Sequence, residues 1–128
     1  MKDEARKFLE KAARTLRAAE SLLRERDYES AAGRCYYAML HAAQALLRER
    51  DLRYRKHASV HAAYGEAFAK TGLLDPKYHR WLLDAFADRL RGDYDVDVSF
   101  DKESVTKRID QAREFLDAAQ RFFDVGAS

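Results

Sequence analysis

The sequence predicts an all-α protein, an up-and-down bundle of four to five helices, and three observations carry that prediction. Apolar residues recur at three- and four-residue intervals through every long segment, the period of an amphipathic helix. The 128 residues include one proline and five glycines, so little of the chain is available for irregular turns. The breaks between periodic segments are short, which makes successive helices antiparallel neighbours.

Residues 3–25 place Phe8, Ala12, Leu16, Ala19 and Leu23 on one stripe, with lysine and arginine around the remainder. That is the pattern of a surface helix. Asp27 then stands where a second helix needs its N-cap.

The stretch from Asp27 to Arg50 organises the rest. Its apolar residues Ala32, Cys35, Tyr36, Met39, Leu40, Ala43, Leu46 and Leu47 form one broad face, so other helices must surround it. A second stripe reads Arg34, Tyr37, His41, Gln44 and Arg48. It sets a cation, a phenol, an imidazole and an amide in one line. Arg34 and His41 are seven residues apart, roughly 10.5 Å along one face, near enough to share a ligand or frame an interface.

Asp51 marks the next turn. From Arg48 to Lys56 five basic residues stand against Glu49 and Asp51, the most positive segment of the chain. It reads either as a solvated helix end complementing its own dipole or as a phosphate-contacting patch that includes Arg48, Arg53, Arg55 and Lys56.

A third helix is predicted from about His57 to Thr71, with Val60, Tyr64, Ala67 or Phe68, and Thr71 inward, and Gly72 as its stop. His57 and His61 have the spacing of two imidazoles on one metal. No third ligand stands near them in sequence, so no metal or other cofactor is expected. Asp75 and Pro76 open a fourth helix as N-cap and first-turn proline. It turns Tyr78, Trp81 or Leu82, Ala85 or Phe86, and Leu90 inward, with Trp81 in phase with the core.

The acids between Asp93 and Asp101 alternate as in a calcium loop, but Val98 stands where such a loop needs glycine and Ser104 where it needs glutamate. An exposed, extended connection is predicted instead. Ser99 or Asp101 then caps a last helix carrying Val105, Ile109, Ala112, Leu116, Ala119 and Phe123 inward. One domain is expected over residues 1–124, with 125–128 a frayed tail.

A net charge of +2 does not by itself point to nucleic acid. The single cysteine, Cys35, has no internal partner for a disulfide. The start, MKDEARKF, lacks the apolar core of a signal peptide, and no segment has the length and apolarity of a membrane span. The expectation is a soluble, cytoplasmic protein without a membrane partner. Gly-rich phosphate loops, GxSxG, HExxH and CxxC are all absent from the sequence. Cys35, in an apolar mid-helix position, should stay protonated. What remains is cation–imidazole chemistry. Histidine exchanges a proton near neutral pH and arginine holds phosphate, which suffices in kind for RNA transesterification without a metal.

The chain also resembles the small stand-alone prokaryotic HEPN proteins found beside minimal nucleotidyltransferases. The residues carrying the resemblance are Arg34-Cys-Tyr-Tyr-Ala-Met-Leu-His41 with Ala42 and Ala43, Leu46-Leu47, Lys56-His57, Phe68-Ala-Lys-Thr-Gly-Leu-Leu74, and Arg89 with Asp93-Tyr94. The similarity spans about Ala5 to Phe123. It implies a bundle of HEPN type that forms a homodimer, often paired with a nucleotidyltransferase as a toxin–antitoxin system. Many members are ribonucleases whose arginine and histidine meet across the dimer interface.

In catalytic members the motif lies on a late helix and ends in tyrosine. The corresponding segment here, Arg89 to Tyr94, keeps the tyrosine but has Gly92 in place of the histidine. Arg34 and His41 match an Rx6H spacing on the second helix instead. Either they form the catalytic pair from that position, or the fold works by binding. The resemblance thus implies a nucleotidyltransferase partner that binds RNA or nucleotides, with Tyr37, Arg48, Arg53, Arg55, Lys56, His57, Arg89, Asp93 and Tyr94 as binding candidates. An active metal-independent ribonuclease toxin using Arg34 and His41 is the first alternative. A non-catalytic structural oligomerisation module is the second.

Overall fold

Two long helices form the first hairpin: α1, Asp3–Arg24, and α2, Tyr28–Glu49. They are followed by α3, His57–Tyr64, which passes directly into a π-helical turn, Gly65–Ala69, and then by α4, Lys77–Tyr94, and α5, Lys102–Gly126. The computed structural model describes residues 1–126. The protein is all-α, and no strand occurs among the described residues. Helix α5 runs on to Gly126, past the start of the predicted tail, whose last two residues lie outside the described residues.

The connection between α1 and α2 is short because both sides of it are capped. Arg26 takes the left-handed conformation (φ 65°), and the amides of Arg26 and Asp27 close back on the carbonyls of Leu23 and Leu22. The Asp27 carboxylate then accepts the Ser30 amide at 3.3 Å, the predicted N-cap. Helix α2 ends the same way: Asp51 has φ 60°, and the Leu52 amide reaches the Leu47 carbonyl at 3.0 Å.

Helix α2 is the centre of the bundle, packed by α1, α3, α4 and α5, and twelve of its residues are buried. Its partner α1 buries Ala5, Leu9, Ala12, Leu16 and Ala19. The predicted stripe was out of phase at its two ends. Phe8 and Leu23 are half-buried at the edge, where Phe8 lies under the Arg48 guanidinium. Cys35 is fully buried, and that burial pushes its thiol up to about 12, so it stays protonated.

Beyond Tyr64 the predicted third helix departs from α geometry. The Lys70 amide bonds the Gly65 carbonyl at 2.8 Å, five residues back, and the extra residue rotates the face that follows. Phe68 and Ala69 are buried, whereas Thr71, predicted inward, is exposed and bonds the Ala67 carbonyl. Gly72 (φ 76°) ends the segment as expected. Helix α4 buries Tyr78, Leu82, Ala85 and Asp88, leaving Trp81 half-buried with Lys77 over its ring. Asp88 binds Arg108 of α5 at 2.6 Å and Arg91 at 2.9 Å, which ties α4 to α5. Residues 95–101 form the predicted exposed connection, with Asp101 accepting the Ser104 amide at 2.7 Å to cap α5. All six predicted inward residues of α5 are buried.

Candidate functional site on the face of α2

The polar-aromatic stripe of α2 lies at a junction. On one side is α1, with the Phe8 ring 6.2 Å from that of His41. On the other are α3 and α4, which bring His57 and Arg89 against the same helix. Tyr37 is the meeting point. Arg34 and Arg89 each hold a guanidinium 5.3 Å from its ring centroid, and the His41 and His57 rings lie 6.1 Å and 5.8 Å from it.

The two cations are held differently. Arg89 pairs with Asp93 one turn on, at 3.3 Å. Arg34 is exposed and makes no ion pair among the described residues. Between α2 and α4 runs a groove of about 300 Å³, lined by Glu29, Ser30, Gly33, Arg34, Tyr37, Asp88, Arg89, Gly92 and Asp93. Larger depressions lie beside Trp81, about 570 Å³, and between α1 and α5, about 460 Å³. No histidine lines either one, and Arg113 and Lys77 beside them are already bound to carboxylates.

Each imidazole is oriented by a neighbour. His41 Nδ1 faces the Gln44 amide oxygen at 2.9 Å, and since that oxygen only accepts, Nδ1 carries the hydrogen. The lone pair is left at Nε2. Burial lowers the pKa of His41, with the charges of Lys11 and Arg34 acting in the same direction. His57 is lowered too, by burial first and then by Arg89. Both are neutral near pH 7 and can accept a proton there.

Behind them lies a group that the sequence reading placed in the apolar face. The Tyr36 hydroxyl sits between two imidazoles, 3.0 Å from His57 Nδ1 and 2.8 Å from His61 Nε2. Tyr36 is fully buried and its pKa is pushed up, chiefly by burial, so it keeps its proton. His61 is 6% exposed and its pKa falls to about 4, again mainly through burial. The spacing that suggested a metal pair therefore serves a shared hydroxyl. The available signal was Tyr36 one position before Tyr37 together with His57-x3-His61, but nothing in the sequence says that these segments meet.

The remaining binding candidates divide. Arg48 and Arg53 both bind Glu4 of α1, each at 3.1 Å, so two of the five cations are held by one carboxylate. Arg55 and Lys56 are exposed and make no ion pair among the described residues. Tyr94, at the end of α4, is 83% exposed and is not among the residues lining the groove.

The family model for the HEPN domain matches residues 5–122. The chain belongs to the HEPN family. Among its relatives is "Putative toxin MJ0142" of Methanocaldococcus jannaschii, 30% identical over 121 residues, which are 94% of this chain and 82% of that protein. A second protein of that organism, "Putative toxin MJ0605", is 31% identical over 94% of this chain and 90% of its own length. A "UPF0332 protein" of Thermotoga maritima is 33% identical over 83% of this chain and 80% of its own. In this HEPN chain the arginine and histidine of the Rx6H spacing lie on α2, and Arg89 of α4 joins them through Tyr37.

Proposed function

We propose that this HEPN protein is the toxin-side member of a toxin–antitoxin module, a cytoplasmic homodimer paired with a nucleotidyltransferase, and that its α2–α4 face binds RNA or a nucleotide. One observation carries the binding reading: two guanidiniums converge on the Tyr37 ring, 5.3 Å from its centroid, and two neutral imidazoles flank it. Guanidiniums take phosphate oxygens in pairs, and an aromatic ring offers a stacking face to a base. Toxin names among the relatives support the module, and the family resemblance supports the partner.

Binding is tested by fluorescence anisotropy with a single-stranded RNA oligonucleotide over a range of salt. Affinity should fall steeply with salt, and the Arg34→Glu, Arg89→Glu double variant should bind at least about tenfold more weakly with a shallower salt slope. RNA binding that is absent in the wild type, or unchanged in the double variant, refutes the reading. Light scattering at micromolar concentration tests the dimer, whose interface should exceed about 1,000 Å² in total.

The lone pair of His41 favours a second reading, a metal-independent ribonuclease. His41 would take the 2′-hydroxyl proton and Arg34 would stabilise charge on the phosphorane. The protein should then cleave RNA in the presence of a chelator and leave 2′,3′-cyclic ends, and His41→Ala should abolish cleavage in a folded dimer. Chelator-resistant cleavage that persists in His41→Ala excludes it.

A further inference from the structure

The chain His57–Tyr36–His61 has one free end. His61 is buried and Tyr36 is enclosed, but His57 is half-exposed at the start of α3, where its ring shares Tyr36 and Tyr37 with the Arg89 guanidinium. We propose that His57 takes up one proton when an RNA phosphodiester or a nucleotide phosphate seats against Arg34 and Arg89, with Tyr36 and His61 as positioning residues. This rests on the RNA- or nucleotide-binding reading above and assigns that site its proton chemistry.

The hydrogen-bond inventory shows how a charged His57 would be accommodated. With His57 charged, its Nδ1–H must donate to the Tyr36 oxygen, which leaves the Tyr36 hydroxyl to donate onward to His61 Nε2. His61 can end the chain because burial keeps its nitrogen unprotonated down to about pH 4. Where neutral His57 already carries its hydrogen on Nδ1, nothing inside the chain changes when it gains its charge. A proton from solvent forms one N–H bond at the outward Nε2, and no other bond is made or broken.

The reverse polarity is the alternative that the pH dependence separates. His61 Nε2–H would donate to Tyr36, Tyr36 to His57 Nδ1, and a neutral His57 would present Nε2–H outward. That arrangement binds an anion without a proton and makes the affinity independent of pH.

The groups around His57 decide the sign. From α4 it faces Arg89, from α2 Tyr36, Tyr37 and His41, and on its own helix His61. Arg89 opposes a second positive charge in the free protein. A bound phosphate offsets that cation and adds attraction of its own, so the imidazolium becomes favourable in the complex. Between the free and bound pKa of His57, binding draws a proton from solvent and tightens as pH falls, by up to about tenfold per pH unit.

The test measures affinity for a fluorescein-labelled single-stranded RNA oligonucleotide between about pH 5 and 8 at fixed ionic strength. Calorimetry in two buffers of different ionisation enthalpy counts the protons. The expected result is uptake approaching one proton, lost in His57→Asn and diminished in Tyr36→Phe, with whatever binding remains in each variant weaker than the wild type's but still salt-sensitive. His41→Asn should weaken binding without removing the pH slope. In the wild type, the His57 Cε1 proton resonance followed by NMR should titrate at higher pH with RNA than without it, which needs no variant to fold. Binding without proton uptake, a slope that survives His57→Asn, or an unmoved His57 resonance overturns the inference while leaving the binding reading intact. RNA that fails to bind at any pH overturns both.

Discussion

The two sides of α2 are built from different materials. Toward α1 the first hairpin is dominated by small side chains, with Ala5, Ala12 and Ala19 on α1 and Ala31, Ala38, Ala42 and Ala45 on α2 all fully buried. Toward α3 and α4 the contact is made by Tyr36, Tyr37, His57, His61 and Phe86, in edge-on or tilted pairs 4.8–6.5 Å apart. The alanine side fixes how closely two helices approach and carries no titratable group in its core. The aromatic side holds the two hydrogen bonds of the Tyr36 hydroxyl and, in buried His61 and half-buried His57, two histidines with lowered pKa values. His41, also lowered, lies at the seam between the two sides. Rigidity and chemistry are thus placed on opposite faces of one helix, and each can be perturbed with a distinct outcome.

The largest effect should come from the alanine side. Ala12 is 0% exposed, and Ala12→Leu inserts three carbons where two backbones are packed close. Overpacking of this kind costs about 1–3 kcal/mol, and the upper end is expected because neither long helix can bend away alone. Urea denaturation should show a midpoint lowered accordingly. A midpoint within error of the wild type would mean that the hairpin has slack and that its alanines do not set the spacing.

The same contrast explains what was legible in the sequence. The bundle, the Asp27 and Asp101 caps, the Gly72 stop and every inward residue of α5 followed from local period and cap chemistry, which a linear sequence displays directly. Thr71 was misplaced because one extra residue in a π-helical turn rotates everything after it, and no periodicity announces that residue. Arg34, Tyr37 and His41 could be read as one line because they share one helix. Tyr36 was read as plain core, since its partners His57 and His61 lie 21 and 25 residues away and reach it only after α3 folds back. The basic segment showed its charges but not Glu4, more than forty residues earlier, which holds Arg48 and Arg53.

Acid should attack the aromatic side with an effect of comparable size. His61 has its pKa lowered to about 4 in the folded protein against about 6.5 in an unfolded chain. The unfolded state therefore binds protons that the folded state refuses. The stability from neutral His61 is complete above about pH 6.5 and is lost as pH falls toward 4, by on the order of 2–3 kcal/mol. His41 and His57 shift in the same direction and steepen the loss. Denaturation midpoints measured across this window should fall with pH, and less so in His61→Asn than in the wild type. Parallel profiles for the two proteins would place the acid sensitivity elsewhere.

The smallest effects come from two glycines, and they should differ in sign. Gly33 lies within α2 with nothing within 4 Å of where a Cβ would stand. Glycine inside a helix costs about 0.5–1 kcal/mol relative to alanine, so Gly33→Ala should stabilise the fold by about that much. Gly65, at the start of the π-helical turn, has the His79 ring where its Cβ would go, 2.7 Å from Cε1. Gly65→Ala must displace that ring and weaken its 3.1 Å hydrogen bond to the His61 carbonyl, for an expected loss of about 1–2 kcal/mol. Thermal or urea unfolding of the two variants reads both signs, and equal signs would contradict this account of the two positions. Gly33→Ala carries a second readout, because its methyl group narrows the groove beside Arg34, Tyr37 and Arg89. Greater stability with weaker RNA binding would show that the open space above Gly33 receives the ligand. Greater stability with unchanged binding would move the ligand outward onto the exposed guanidinium of Arg34 and leave the groove out of the site.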